Sequence, residues 1–168
     1  MADLNGELAR GRAAVHDMIA AAEHSAGTWT TPRASGKWSP SQIVEHVARA
    51  LDESAKMVDG APTLFPTLPK LVRPAVRSLF YNRVLRDSAF PKAKTNKAMN
   101  PASGPETPTG GRARLEGAFD RFERACRSLP ENGVVVSTVF GRVSVESWAR
   151  FQALHVRHHT KQIHGGAD

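Results

Sequence analysis

The sequence contains a single cysteine, Cys126, in 168 residues. One cysteine excludes an internal disulfide and a cysteine-rich zinc site, and it makes a reducing cytoplasm the default expectation. No window of roughly eighteen apolar residues free of charge occurs, which excludes a membrane-spanning helix. The stretch from Met1 to Arg12 carries Asp3, Glu7, Arg10 and Arg12 and no apolar run, so it does not read as a secretory leader. No internal repeat is visible. The excess of basic over acidic residues is concentrated in one window. From Lys70 to Lys97 stand Lys70, Arg73, Arg77, Arg83, Arg86, Lys92, Lys94 and Lys97 against the lone acid Asp87. That window accounts for the whole formal charge of +7, and the rest of the chain is neutral. A uniformly basic nucleic-acid coat is thereby excluded, and so is disorder from overall self-repulsion.

What is present reads as one domain, residues 1–168, with 40% hydrophobic residues to build a core. Apolar residues recur at helical spacing from Asn5 to about His24. Ser39 reads as an N-cap, Pro40 as the first helical residue and Gln42 as the partner in a capping box. That helix is expected to reach about Val58, with Glu45, Arg49 and Asp52 facing water. A proline-rich loop follows Gly60. A basic helix then fits Pro69 to Arg86, with Pro74 marking a late start or a kink. From Asp87 to Gly111 the hydrophobic pattern stops, which suggests a long functional or mobile loop. A third long helix fits Arg112 to Leu129. Val134 to Val143 is β-branched and extended in character. Ser144 caps a last helix, Val145 to about Ile163, ended by Gly165-Gly166. The fold class is all-α: a four-helix bundle with one long crossover, about residues 60–111, carrying an extra basic helix and loop.

Seven histidines are present. His155 and His159 fall one turn apart on the helix face that also carries Trp148 and Phe151, so two imidazoles can share one metal ion. A third ligand must come from another helix. His46 is the candidate, at the margin of the second helix's apolar stripe, with His16 and His24 as alternatives. His158 can replace a neighbour on spacing alone. Three histidines leave a coordination position open, as catalytic zinc requires. A zinc protease is disfavoured, because no Glu follows the first histidine of the pair. Gln152 and Gln162 share the ligand face and are candidates for orienting ligands or substrate. Glu53 is a candidate base, with a solvated charge as the simpler reading. Arg73, Arg77 and Arg83 are candidates for an anionic substrate or cofactor. No nucleic-acid motif accompanies the basic window, so nucleic acid is not the expected partner. Cys126, Trp38 and Trp148 read as core; Trp29, between two threonines, reads as partly exposed.

The run Trp38-Ser39-Pro40-Ser41-Gln42-Ile43-Val44-Glu45-His46-Val47 resembles the W-[ST]-P-x-[QE]-[IVL]-x-x-H-[LV] signature of the DinB/YfiT-like superfamily of bacterial four-helix metalloproteins. The ending His155-x-x-x-His159-Thr160-Lys161-Gln162-Ile163 is similar to that superfamily's H-x-x-x-H-x-x-Q-[IL], and Phe140-Gly141-Arg142-Val143-Ser144 with Trp148 resembles its lead-in. This chain departs at Thr160-Lys161, where many members have Arg-Gly, and in its longer stretch from Gly60 to Gly111. The resemblance implies a metal site of His46, His155 and His159. It also implies a divalent metal, zinc first with nickel or iron as alternatives, and a thiol-dependent transferase or a hydrolase with a small-molecule or low-molecular-weight thiol substrate. A homodimer is a further expectation, and a membrane partner is not expected. The alternative function is a non-catalytic, metal-stabilised binding module whose Lys70–Lys97 surface meets an anionic partner.

Overall fold

Asp3 turns its carboxylate back onto the backbone N–H groups of Asn5 and Gly6 and so starts α1, Leu4–His24. The next long helix, α2 (Pro40–Val58), begins with the capping box read from the sequence: Ser39 Oγ accepts from Gln42 N, and Gln42 Oε1 accepts from Ser39 N. Such a cap contributes about 1 kcal/mol. These assignments come from a computed structural model, which describes residues 3–91, 96–130 and 132–164.

The crossover is helical from residue 73. It comprises α3 (Arg73–Val76), a wide π turn (Arg77–Tyr81) and α4 (Asn82–Asp87). Pro74 sits in the first turn, where a missing N–H costs nothing, so the late start rather than the kink is what forms. After a short 3₁₀ turn at Lys97–Met99, α5 runs Pro108–Ser128. It begins four residues before the expected Arg112, because Thr107 caps it through Gly110 N and Pro108 preorganises its first turn. The β-branched run forms a hairpin, β1 (Val134–Ser137) paired antiparallel with β2 (Gly141–Ser144). Ser144 then caps α6, Val145–Ile163, through Ser147 N. Lys92, Lys94 and Gly165-Gly166 lie outside the described residues.

The chain is thus mostly helical with one small sheet. Among its long helices, α1 packs along α6 and α2 along α5, while contacts of α1 with α5 and of α2 with α6 close the core. The core is built from Leu8, Val15 and Met18 of α1, Val44, Val47 and Leu51 of α2, Leu115, Phe119 and Phe122 of α5, and Trp148 and Val156 of α6. Helices α1 and α5 approach closely at Gly11, where a Cβ would stand 2.8 Å from the Phe119 ring. Cys126 and Trp148 are buried as expected. Trp29 is buried too, contrary to expectation: it is 4% exposed, its Nε1 donates to Pro105 O at 2.8 Å, and its ring lies over Gly111.

A second correction concerns the polar edge of α2. Glu45 and Asp52 do not simply face water. Arg114 of α5 bonds Glu45 at 3.0 Å and Asp52 at 2.7 Å, and Arg121 bonds Asp52 at 2.8 Å. The acids of one helix are met by the cations of its neighbour, which helps fix their relative register. No helix among the described residues is long and apolar enough to cross a membrane.

Candidate metal centre

α2 and α6 bring three imidazoles together. His46 comes from the middle of α2, and His155 and His159 come from successive turns of α6. One ring nitrogen from each lies within 4.8 Å of the others. The rings meet edge to face, with centroids 4.6 Å apart for His155 and His159 and 4.7 Å apart for His46 and His159. His16 and His24, the alternatives on α1, are exposed and take no part.

The outward nitrogens are fixed by acceptors. His46 Nδ1 lies 2.9 Å from Met99 O, and His159 Nδ1 lies 2.8 Å from Gln162 Oε1. A carbonyl oxygen only accepts, so both Nδ1 atoms carry the proton and both Nε2 atoms keep a lone pair. His159 Nε2 then faces His155 Nε2 at 3.1 Å. Two imidazole nitrogens bound to one zinc ion stand roughly 3 to 3.4 Å apart. The His155 and His159 pair matches this spacing, and with the third nitrogen within 4.8 Å the three histidines could hold a metal ion. Burial pushes the His46 imidazole below its ordinary pKa, outweighing the Met99 hydrogen bond. Burial, followed by repulsion from His159, His46 and His158, pushes His155 well below it. Both shifts favour the neutral ring, which is the form that donates to a metal.

The histidines stand at the side of an open cavity of about 650 Å³. Its walls are largely aromatic, with Trp38, Phe65, Phe80, Phe90 and Phe140, and Arg33 and Lys37 also line it. Trp38 is held by its Nε1 donating to Asn100 Oδ1 at 3.1 Å, and its ring lies 4.8 Å from that of His46. Phe90 contacts both His155 and His158, each at 5.5 Å between centroids. His158 lines the cavity beside the triad, and Gln162 Nε2 reaches its Nε2 at 3.4 Å.

The other sequence candidates separate. Gln162 touches His159 directly. Gln152 is buried and lines a smaller adjoining cavity, about 160 Å³, with His155. Glu53 is neither a base at the site nor a solvated charge. It is 3% exposed, accepts from Leu64 N and Lys56 Nζ at 2.6 Å each, and pins the loop after α2. None of Arg73, Arg77 and Arg83 lines the histidine cavity. Their side chains go to Leu68 O, Arg142 O and Asp87 respectively. The crossover does cover the site, but with the apolar side chains Val76, Phe80 and Phe90. Sequence reasoning missed the Met99 carbonyl and the cations Arg33 and Lys37. The first is a backbone atom with no side-chain signal; the other two lie in a Gly- and Pro-containing break that offered no pattern.

A family model described as the DinB superfamily matches residues 7–163. Comparison with curated proteins and with solved structures returned no match.

Proposed function

Because this chain belongs to the DinB superfamily, we propose that it is a metal-dependent enzyme of thiol-transfer or hydrolytic type, with His46, His155 and His159 as the metal ligands. The observation that carries the reading is the gathering of three imidazoles, one nitrogen of each within 4.8 Å of the others, with the Nδ1 atoms of His46 and His159 against carbonyl oxygens and the Nε2 atoms of His155 and His159 facing at 3.1 Å. A divalent cation held there supplies Lewis acidity and lowers the pKa of a water or thiol that binds it. Zinc suits three imidazoles, as do nickel and iron.

The chain's own residues do the rest. Gln162 and the Met99 carbonyl hold two rings in their donor tautomers. The aromatic walls bind the apolar part of a small molecule and exclude water from the face beside the histidines. Arg33 and Lys37 in the same lining attract a negatively charged group. A substrate with an apolar body and one acidic group matches this lining.

The test uses protein loaded with cobalt(II), whose visible absorption reports the donor set. Addition of a low-molecular-weight thiol is expected to shift that absorption and add a sulfur charge-transfer band. A cobalt-loaded protein whose spectrum no thiol perturbs contradicts thiol transfer and leaves the hydrolytic form of the proposal. The alternative is a metal-stabilised module without turnover that works through the basic surface. It draws support from the placement of Arg73, Arg77 and Arg83 away from the cavity.

A further inference from the structure

The metal site leaves the basic crossover without a role for its outer face. Inward, residues 73–87 give Val76 and Phe80 to the cavity and Tyr81 and Val84 to the core. Outward, Leu71 is 94% exposed, Leu79 75% and Val72 42%. Leu71 and Val72 stand in the turn that leads into α3, and Leu79 in the π turn that follows it, so the exposed apolar side chains fall within one nine-residue stretch.

Cations share that segment. Lys70, Arg83 and Arg86 are exposed in it. Asp87 is the lone acid between Lys70 and Lys97, and both Arg83 and Arg86 share it, at 3.3 Å and 2.9 Å. Arg73 and Arg77 donate instead to the carbonyls of Leu68 and Arg142, both at 2.8 Å. A neutral carbonyl does not offset a guanidinium charge. Among the arginines of the bundle, Arg12, Arg112, Arg114 and Arg121 meet carboxylates, while Arg150 donates to Leu85 O. Positive charge is thus left in excess on a segment that also exposes Leu71 and Leu79.

Three kinds of partner can be weighed against that pairing. A second copy meeting this face symmetrically would press one cationic window against another. Nucleic acid would take the cations but gives the exposed leucines nothing to enter. An anionic bilayer surface takes both, with leucines entering the boundary between headgroups and acyl chains and cations meeting lipid phosphates. We propose that the outer face of the crossover, centred on Leu71 and Leu79, docks this protein on an anionic lipid bilayer. Such attachment is peripheral and needs no membrane-spanning helix. It does not depend on the metal site.

The test is co-sedimentation of the full chain with vesicles of phosphatidylcholine alone, or of equal parts phosphatidylcholine and phosphatidylglycerol. Binding is expected only to the anionic vesicles, and it should fall as salt rises. Leu71→Asp/Leu79→Asp, and separately Arg83→Gln/Arg86→Gln, should each weaken it about tenfold or more, with helical content by circular dichroism unchanged. Equal binding to both vesicles, or no binding to either, overturns the proposal. So does retention of full affinity by the leucine variant. Concentration-dependent self-association abolished by Leu71→Asp/Leu79→Asp would assign the face to a second copy instead. Salt-sensitive binding to duplex DNA that the leucine variant retains would assign it to nucleic acid.

Discussion

At the residue scale, the chemistry turns on which nitrogen of each histidine holds its proton. The Gln162 carbonyl oxygen makes that choice for His159. Gln162→Leu removes the acceptor, and the resulting freedom of ring and tautomer is expected to weaken metal binding about 10- to 100-fold. Competition with a chromogenic chelator measures this, and an unchanged affinity would show that Gln162 does not position the ligand. His155 and His159 were legible from spacing, because four residues bring side chains back to one helix face. His46 was the candidate from its place at the margin of the apolar stripe of α2, and the resemblance selected it over His16 and His24. The Met99 carbonyl that orients it lies 53 positions away and is backbone, so no pattern of residue types could reveal it. Cys126 gives a prediction independent of metal. Burial pushes its thiol up to about 12 from an ordinary value of 9.0. Between those values the unfolded thiol loses its proton and the folded one keeps it. Stability from this group is therefore present below about pH 9 and declines as pH rises toward 12. Alkylation at pH 8 should be slow in native protein and fast in denaturant. Equal rates in the two would place the thiol at the surface.

At the scale of elements, the segment between α4 and α5 matters more than its composition suggests. The sequence showed prolines and no hydrophobic pattern there, which fits a loop. What it could not show is where the loop lands, because it lands through carbonyl oxygens. Pro105 O accepts from Ser41 Oγ at 2.7 Å and from Trp29 Nε1 at 2.8 Å, while Pro101 O accepts from Gln42 Nε2 at 3.3 Å. Those bonds clamp the loop onto the start of α2 and hold the Met99 carbonyl against His46. The same clamp explains the buried Trp29. Gly104 permits the closest approach, since a Cβ there would stand 2.2 Å from Ser41 O. Gly104→Ala should therefore lower the melting temperature and weaken metal binding together. Gly27→Ala, with nothing within 4 Å of the new Cβ, should change neither. A Gly104→Ala protein with undiminished stability and affinity would mean that the loop does not hold His46. The caps of α2 and α6 were readable, because Ser39 and Ser144 act on backbone within their own turns. The start of α5 was misplaced because Gly110 and Gly111 look like a break, while the cap is Thr107.

At the scale of the whole molecule, the charge is partitioned. The bundle pairs α2 acids with α5 arginines, and the unbalanced excess is carried by the crossover. That division was legible as arithmetic on the sequence. Its orientation was not, because the same helix shows Phe80 to the histidine cavity and Leu79 to solvent. The three histidines join α2 to α6, so an ion bound by them would tie two helices of the bundle together. Free metal at a hundred times its dissociation constant stabilises a folded protein by about 2.7 kcal/mol. The central claim is that His46, His155 and His159 hold that ion. The most direct test is metal content by inductively coupled plasma mass spectrometry. It compares purified wild type with His155→Ala/His159→Ala, both shown to be folded by circular dichroism. The account predicts close to one divalent ion per wild-type chain and almost none in the variant. Equal metal content in the two folded proteins would contradict it.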